Sequence, residues 1–191
     1  MGVDKALLPF RDQTLLARAL ETVGSVSGRV HIVGPMKSYG KFGEVIEDIY
    51  QGCGPLAGIH AALCTTGTDL NFVLSVDMPL IPSDFLRWLI SQAARSSDLI
   101  VVPDALGGQQ PLCAVYRRAV QAFAEQALQA GDYKIGHLFS QVPTRFISES
   151  EISAAGFSPR IFRNINTVEE YDALVRAETA ASEDIPQGGR I

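Results

Sequence analysis

The sequence is poor in cysteine and histidine, and this scarcity excludes several classes of site. Only Cys53, Cys64 and Cys113 occur among the 191 residues, and no two of them have C-x-x-C spacing. The odd count argues against a disulfide framework and a structural zinc site, and it favours a reducing compartment. The three histidines lie far apart, and no Ser-His-Asp or Cys-His arrangement can be identified.

Charge is also sparse. Charged residues make up 19% of the chain and apolar residues 47%, with a formal net charge of −5. This is the balance of a globular domain, and the acidic excess argues against a nucleic-acid partner. Asp77 and Asp84 interrupt the most apolar stretch, and no signal peptide is evident. We therefore expect a cytoplasmic protein without a membrane segment.

Short apolar runs alternate with helical patterns, and this alternation predicts an α/β domain over residues 1–178. Such domains place a mostly parallel sheet between two layers of helices. The polar, glycine-rich segment 179–191 is predicted to be a disordered tail. The predicted strands are 29–33, 44–47, 71–76, 99–102 and 111–116, and the predicted helices are 14–23, 55–65, 83–95, 117–130 and one that follows a capping box at Thr167.

Asp77 is the most informative candidate residue. It directly follows the apolar strand that ends at Val76, and Pro79 prevents that strand from continuing. The sheets of α/β proteins bind ligands at the carboxyl ends of their strands. A carboxylate there suits Mg²⁺, which takes one or two carboxylates together with substrate phosphates. The alternative interpretation is an ordinary aspartate in a turn.

Three further candidates accompany Asp77. Asp48 follows a short strand, and the glycine string 54–58 begins six residues later, where Gly54 lets a ligand approach the backbone. Lys5 is a candidate for neutralising phosphate charge, although a solvated lysine is the simpler interpretation. Asn164 and Asn166 precede the capping box, so they either contact a ligand or belong to a helix entry.

Together and in order, these segments resemble the molybdenum cofactor guanylyltransferases, the MobA-type branch of the Rossmann-like nucleotidyltransferases. Residues 1–8, Met-Gly-Val-Asp-Lys-Ala-Leu-Leu, resemble the end of that family's first signature, Leu-Ala-Gly-Gly-x-Ser-x-Arg-Met-Gly-x-Asp-Lys. The resemblance spans nearly the whole chain, and although each string is weak, their order is specific. The other matching segments are 45–48, 54–63, 76–80, 110–116 and 164–171.

The resemblance implies a Rossmann-like three-layer αβα fold and the transfer of GMP from Mg·GTP to the phosphate of molybdopterin. It makes Lys5 and Asp77 catalytic and nucleotide-binding residues, with Asp77 as the ligand of Mg²⁺. Asp48 and Gly54 become nucleotide contacts, while Asn164 and Asn166 lie on the pterin side. Other cofactor-biosynthesis proteins and molybdoenzymes are implied as transient partners.

Two features depart from that family. Gln110 stands where the family usually has histidine, and the family's first strand with its Gly-Gly loop is absent. That strand would be central in the sheet, and its loop would offer backbone N–H groups to the GTP phosphates. We therefore expect a sheet interrupted near its centre, a natural protein that begins upstream of Met1, and low activity of the 191-residue form.

Two alternatives remain open at the level of sequence. The chain could be a related nucleotidyltransferase that uses CTP or a sugar-phosphate acceptor. It could instead be a non-catalytic nucleotide-binding protein, because the phosphate loop is absent.

Overall fold

The fold is taken from a computed structural model that describes residues 4–164. Four of the predictions concern positions outside the described residues: Asn166, the helix after Thr167, the domain boundary at 178 and the tail 179–191. Within residues 4–164, no helix is long and apolar enough to cross a membrane.

Nine strands and seven α-helices make up the described part of the chain. The predicted helices 55–65 and 83–95 are both reproduced in full. The strands are β1 Pro9–Phe10, β2 Gln13–Thr14, β3 Ile32–Val33, β4 Val45–Ile46, β5 Leu70–Leu74, β6 Ile100–Ala105, β7 Gly108–Gln109, β8 Cys113–Arg117 and β9 Thr144–Ser148. The helices are α1 Leu15–Gly24, α2 Met36–Tyr39, α3 Pro55–Thr65, α4 Ser83–Arg95, α5 Val120–Gln129, α6 Ile135–Gln141 and α7 Glu149–Ala154, with 3-10 helices at Lys5–Leu7 and Pro159–Phe162.

The main sheet has five strands in the order β5-β8-β6-β7, with β9 also paired to β6. The α/β class is confirmed, but the expectation of a mostly parallel sheet is wrong for this part. Strand β8 runs antiparallel to both β5 and β6, and only β9 is parallel to its neighbour. The reason is the short hairpin through β7, since strands joined by a tight turn pair antiparallel and parallel pairs need a long crossover.

Helices cover both faces of the main sheet, which confirms three layers. On one face, α3, α5 and α6 pack on the sheet through a buried cluster that includes Leu56, Leu128 and Leu138. On the other face, α4 and α7 pack through Phe85, Leu89 and Ile152. Burial of this apolar surface is the main favourable contribution to the folding of such a domain.

The sheet is interrupted beside β5, as the resemblance led us to expect. Strands β3 and β4 form a separate parallel pair, and in residues 4–164 no strand pairs with the second edge of β3 or of β5. A cleft of about 1300 Å³ lies between them. Every residue of β5 is only half-buried, whereas the first four residues of β8 are buried.

Candidate active site

Asp77 lies in a turn just beyond the carboxyl end of β5. The turn is closed by a hydrogen bond from the Met78 amide to the Ser75 carbonyl, 3.3 Å long. Oxygen Oδ1 of Asp77 is buried and has no hydrogen-bond partner among the described residues. A buried polar atom without a partner is costly, so this oxygen is a candidate for contact with a bound ligand.

Lys5 is held at the start of a 3-10 helix by the residue before it. The Asp4 carboxylate caps that helix by accepting a hydrogen bond from the Ala6 amide at 3.1 Å. The Tyr39 hydroxyl donates to both oxygens of the same carboxylate, at 3.0 and 2.9 Å. Burial and the neighbouring Asp4 charge raise the pKa of Tyr39 to about 12, so Tyr39 remains a donor at neutral pH. The exposed Lys5 side chain therefore projects from an anchored backbone.

The residue after Lys5 and the residue before Asp77 pack in the same part of the structure. Ala6 and Val76 pack in one small apolar cluster, which also contains Leu16 of α1 and Ile32 of β3. Lys5 and Asp77 are 72 positions apart in sequence, yet each is next to a residue of this cluster. Sequence reasoning missed Asp4 and Tyr39 as positioning residues. Asp4 had a local signal as a helix cap, whereas the Tyr39 contact is purely tertiary.

Asp48 and Gly54 line the cleft at the amino end of α3. Gly54 has φ = 70°, a left-handed conformation that favours glycine, and it leads into Pro55 at the start of the helix. A Cβ added to Gly58 would lie 3.5 Å from Asp48 Oδ1 and 3.0 Å from a Val33 methyl group. Glycine at position 58 therefore lets α3 approach the Asp48 carboxylate closely.

A divalent cation fits Asp77 only together with a substrate. In the part of the chain that the structure describes, no group of three or more His, Cys, Asp or Glu side chains could hold a metal by itself. The unpaired Asp77 oxygen nevertheless offers one hard anionic ligand. Mg²⁺ is commonly held by one or two carboxylates plus substrate phosphates, so this donor set suits a metal that arrives with a nucleotide.

Comparison with known proteins identifies the family. The model of the MobA-like NTP transferase domain matches residues 1–145. This chain belongs to that family. The "Molybdenum cofactor guanylyltransferase" of Desulfosudis oleivorans is 32% identical over 181 residues, which are 94% of this chain and 88% of the relative. The protein of the same name from Vibrio parahaemolyticus is 30% identical, covering 93% of this chain and 89% of that protein.

Solved structures confirm the fold of this MobA-like domain. Molybdopterin-guanine dinucleotide biosynthesis protein A from Archaeoglobus fulgidus superposes with a TM-score of 0.80 at 24% identity, covering 95% of this chain and 92% of that one. A Mycobacterium tuberculosis protein, Rv0371c, solved in complex with manganese, gives 0.67 at 20% identity and covers 92% of this chain and 93% of its own. The family membership and fold make this chain a nucleotidyltransferase.

Asn164 and Gln110 are two further residues that the sequence of this MobA-like chain singles out. Asn164 is exposed at the end of the described residues, and within residues 4–164 no hydrogen bond links it to Asp77 or Asp48. Its pterin role, like that of Asn166, remains a prediction. Gln110 donates from its side-chain amide to the carbonyls of Ala105 at 2.9 Å and Gly108 at 3.2 Å. Gln110 therefore closes the β6–β7 turn.

We predict that Asp48→Asn leaves the protein at least as stable as wild type at pH 7. Burial raises the pKa of Asp48, so the folded state disfavours its charge. The folded chain then binds a proton at Asp48 more readily than the unfolded chain. The Asp48 carboxylate therefore destabilises the fold increasingly as pH rises from its pKa in the unfolded chain through its higher pKa in the folded chain. The gain in Asp48→Asn is below about 1 kcal/mol, because water still screens the half-buried carboxylate.

Urea unfolding of both proteins at pH 7 and pH 4 measures this difference. The advantage of Asp48→Asn should shrink toward pH 4, where the wild-type carboxylate is increasingly protonated in both states. Asp12→Asn is the control at an exposed aspartate. An Asp48→Asn protein less stable than wild type at pH 7 would show that the Asp48 charge stabilises the fold.

Proposed function

We propose that this nucleotidyltransferase transfers GMP from GTP to the phosphate of molybdenum-bearing molybdopterin and releases pyrophosphate. The observation that carries the proposal is the near full-length similarity, at 32% and 30% identity, to two proteins named molybdenum cofactor guanylyltransferase. The product would be the guanine dinucleotide form of the molybdenum cofactor. We place the reaction in the cytoplasm, with other cofactor-biosynthesis proteins and molybdoenzymes as transient partners.

In this proposal Asp77 and Lys5 act on the phosphates. The buried, unpaired Oδ1 of Asp77 supports a role in holding Mg²⁺, and when bound this ion would offset negative charge on the nucleotide. The Lys5 ammonium, on its anchored 3-10 helix, contacts the phosphates as well. Asp48 and Gly54 contact the nucleoside, and Asn164 and Asn166 face the pterin.

The chemistry needs positioning more than proton transfer. An oxygen of the acceptor phosphate forms a bond to the α-phosphorus of GTP, and the bond from that phosphorus to the pyrophosphate oxygen breaks. The attacking oxygen is already anionic, so no general base has to remove a proton. Alignment and neutralisation of charge then carry the catalysis. This agrees with a sequence that has no catalytic histidine or cysteine arrangement.

Pyrophosphate release in the presence of Mg²⁺ tests the assignment directly. We expect slow but measurable release with GTP and molybdopterin together. Release should be at least about tenfold slower when CTP replaces GTP, which corresponds to about 1.4 kcal/mol of discrimination between the two nucleotides. Omission of molybdopterin is the control for simple GTP hydrolysis. Equal or faster release with CTP would contradict the guanylyl assignment and favour a cytidylyl transferase.

A non-catalytic nucleotide-binding role is the second candidate, and the interrupted sheet beside β5 favours it. The cleft leaves β5 half-buried next to the turn that carries Asp77. GTP binding by calorimetry without any pyrophosphate release would select this candidate over the transferase.

A further inference from the structure

The turn between β6 and β7 holds a leucine in a backbone conformation that leucine rarely adopts. Ala105 pairs with Gly108, so Leu106 and Gly107 form a two-residue hairpin loop. Their φ angles are 55° and 81°. Two-residue loops with φ above zero at both positions favour Asn, Asp or Gly at the first one. A leucine there is strained, because its Cβ comes too close to the following carbonyl oxygen.

Burial does not compensate for this strain, because the Leu106 side chain is 51% exposed. Among the exposed large hydrophobic residues that the structure describes, Leu106 alone has a positive φ. The Glu149 carboxylate accepts a hydrogen bond from the Leu106 amide, which ties the loop to the start of α7. Gln110 donates to the carbonyls of Ala105 and Gly108 on the two sides of the loop. A strained residue that is held in place without a gain in burial points to a functional role.

The strand pairing places Leu106 at the edge of the sheet that carries Asp77. Strands β5 and β6 both run antiparallel to β8, so they are parallel to each other and end at the same edge. At this edge β5 leads into the turn that carries Asp77, and β6 leads into the turn that carries Leu106. Only β8 lies between the two strands, so their backbones are about 10 Å apart, twice the usual strand spacing. Leu106 therefore lies within reach of a substrate bound at Asp77.

The two sides of β5 suit the two substrates of a transfer reaction. Asp48 and Gly54, the proposed nucleoside contacts, line the cleft along the edge of β5 that faces away from β8. Strand β8 and Leu106 lie on the opposite side of β5. Both substrates meet at the phosphates beside Asp77, so a nucleoside on the first side leaves the second side for the acceptor.

We propose that Leu106 is a specificity-determining residue that contacts one face of the acceptor's pterin ring. A flat heteroaromatic ring has an apolar face, and ligand sites commonly cover such faces with apolar side chains. Asn at this position would relieve the strain in the turn but would not provide the apolar contact. This inference rests on the proposed function for the identity of the acceptor.

Leu106→Asn separates the stability of the turn from acceptor binding. Asn tolerates the left-handed conformation, so the melting temperature should rise by about 2–4 °C. The KM for molybdopterin, measured by pyrophosphate release at saturating GTP, should rise about tenfold, whereas the KM for GTP should stay unchanged. A leucine with a purely structural role would give the gain in stability without the change in KM, and that result would overturn the proposal.

Two further variants control for this substitution. Leu106→Met keeps an apolar side chain of similar volume and should keep the KM for molybdopterin within about twofold of wild type. Phe146→Asn removes an exposed apolar side chain from β9, within the strand and away from the turn, and should leave that KM unchanged. A tenfold loss in Leu106→Met as well, or a rise in the KM for GTP in place of the KM for molybdopterin, would overturn the assignment.

A titration with free pterin distinguishes failure of this inference from failure of the proposed function. If the wild-type protein releases no pyrophosphate with GTP and molybdopterin, the proposed function fails. The fluorescence of pterin still reports binding of the ring without any transfer. Tighter binding of pterin by wild type than by Leu106→Asn supports the contact, whereas equal binding by the two proteins, or no binding by wild type, overturns it.

Discussion

Asp77→Asn should lower kcat/KM for Mg²⁺-dependent pyrophosphate release by at least about 100-fold, equivalent to about 2.7 kcal/mol of transition-state stabilisation. The substitution keeps the shape of the side chain but removes the negative charge. The melting temperature should stay the same or rise, because Oδ1 is buried without a hydrogen-bond partner in residues 4–164. A large loss of rate without a loss of stability is the signature of a ligand-binding carboxylate.

Asp84→Asn is the matched control for this experiment. Asp84 lies seven residues further along, in the first turn of α4, and its side chain is 83% exposed. Its replacement should leave the rate unchanged and cost at most about 1 kcal/mol of stability from the helix dipole. Near-normal turnover in Asp77→Asn, with an unchanged melting curve, would remove Asp77 from the active site.

Lys5→Ala should lower kcat/KM for GTP by about 10- to 100-fold, or about 1.4–2.7 kcal/mol. The ammonium group offsets phosphate charge during transfer, and its 3-10 helix is fixed by Asp4 and Tyr39, so the effect should be specific to the reaction. Stability should change by no more than about 0.5 kcal/mol, as is usual for an exposed side chain. Steady-state kinetics and urea unfolding measure the two quantities.

Lys134→Ala provides the control for charge alone. Lys134 is another exposed lysine, at the start of α6 on a separate layer of the fold. Its removal changes the net charge by the same amount and should leave kcat/KM unchanged. If Lys5→Ala and Lys134→Ala both behave as wild type in GTP binding and rate, Lys5 is only a surface residue.

Much of the helical structure followed from local signals. Thr14 caps α1 by accepting a hydrogen bond from the Ala17 amide, and Pro55 stands at the first position of α3, where its missing N–H has no cost. The same kind of signal was overlooked at α7, where Ser148 and Glu151 form a capping box. Strand β9, which precedes it, was also missed, because the half-buried run Thr144–Ser148 has no long apolar pattern.

The candidate site was predictable in part. Asp77 was found because a strand, a carboxylate and a proline occur in that order, and such an order places the carboxylate at the ligand-binding edge. The close approach of Gly58 to Asp48 and the anchoring of Asp4 by Tyr39 were not predictable. Both contacts join segments that are ten or more positions apart in sequence, and no local pattern encodes them.

The sequence by itself determined the α/β class, the family resemblance and the polar residues that follow the strands, because periodicity, capping and motif order are local properties. Only the tertiary structure decided the direction of β8 and the burial of an unpaired Asp77 oxygen. These two features depend on which segments meet across the sheet. Strand pairing and burial are set by contacts distant in sequence, so they become visible only when the chain is folded.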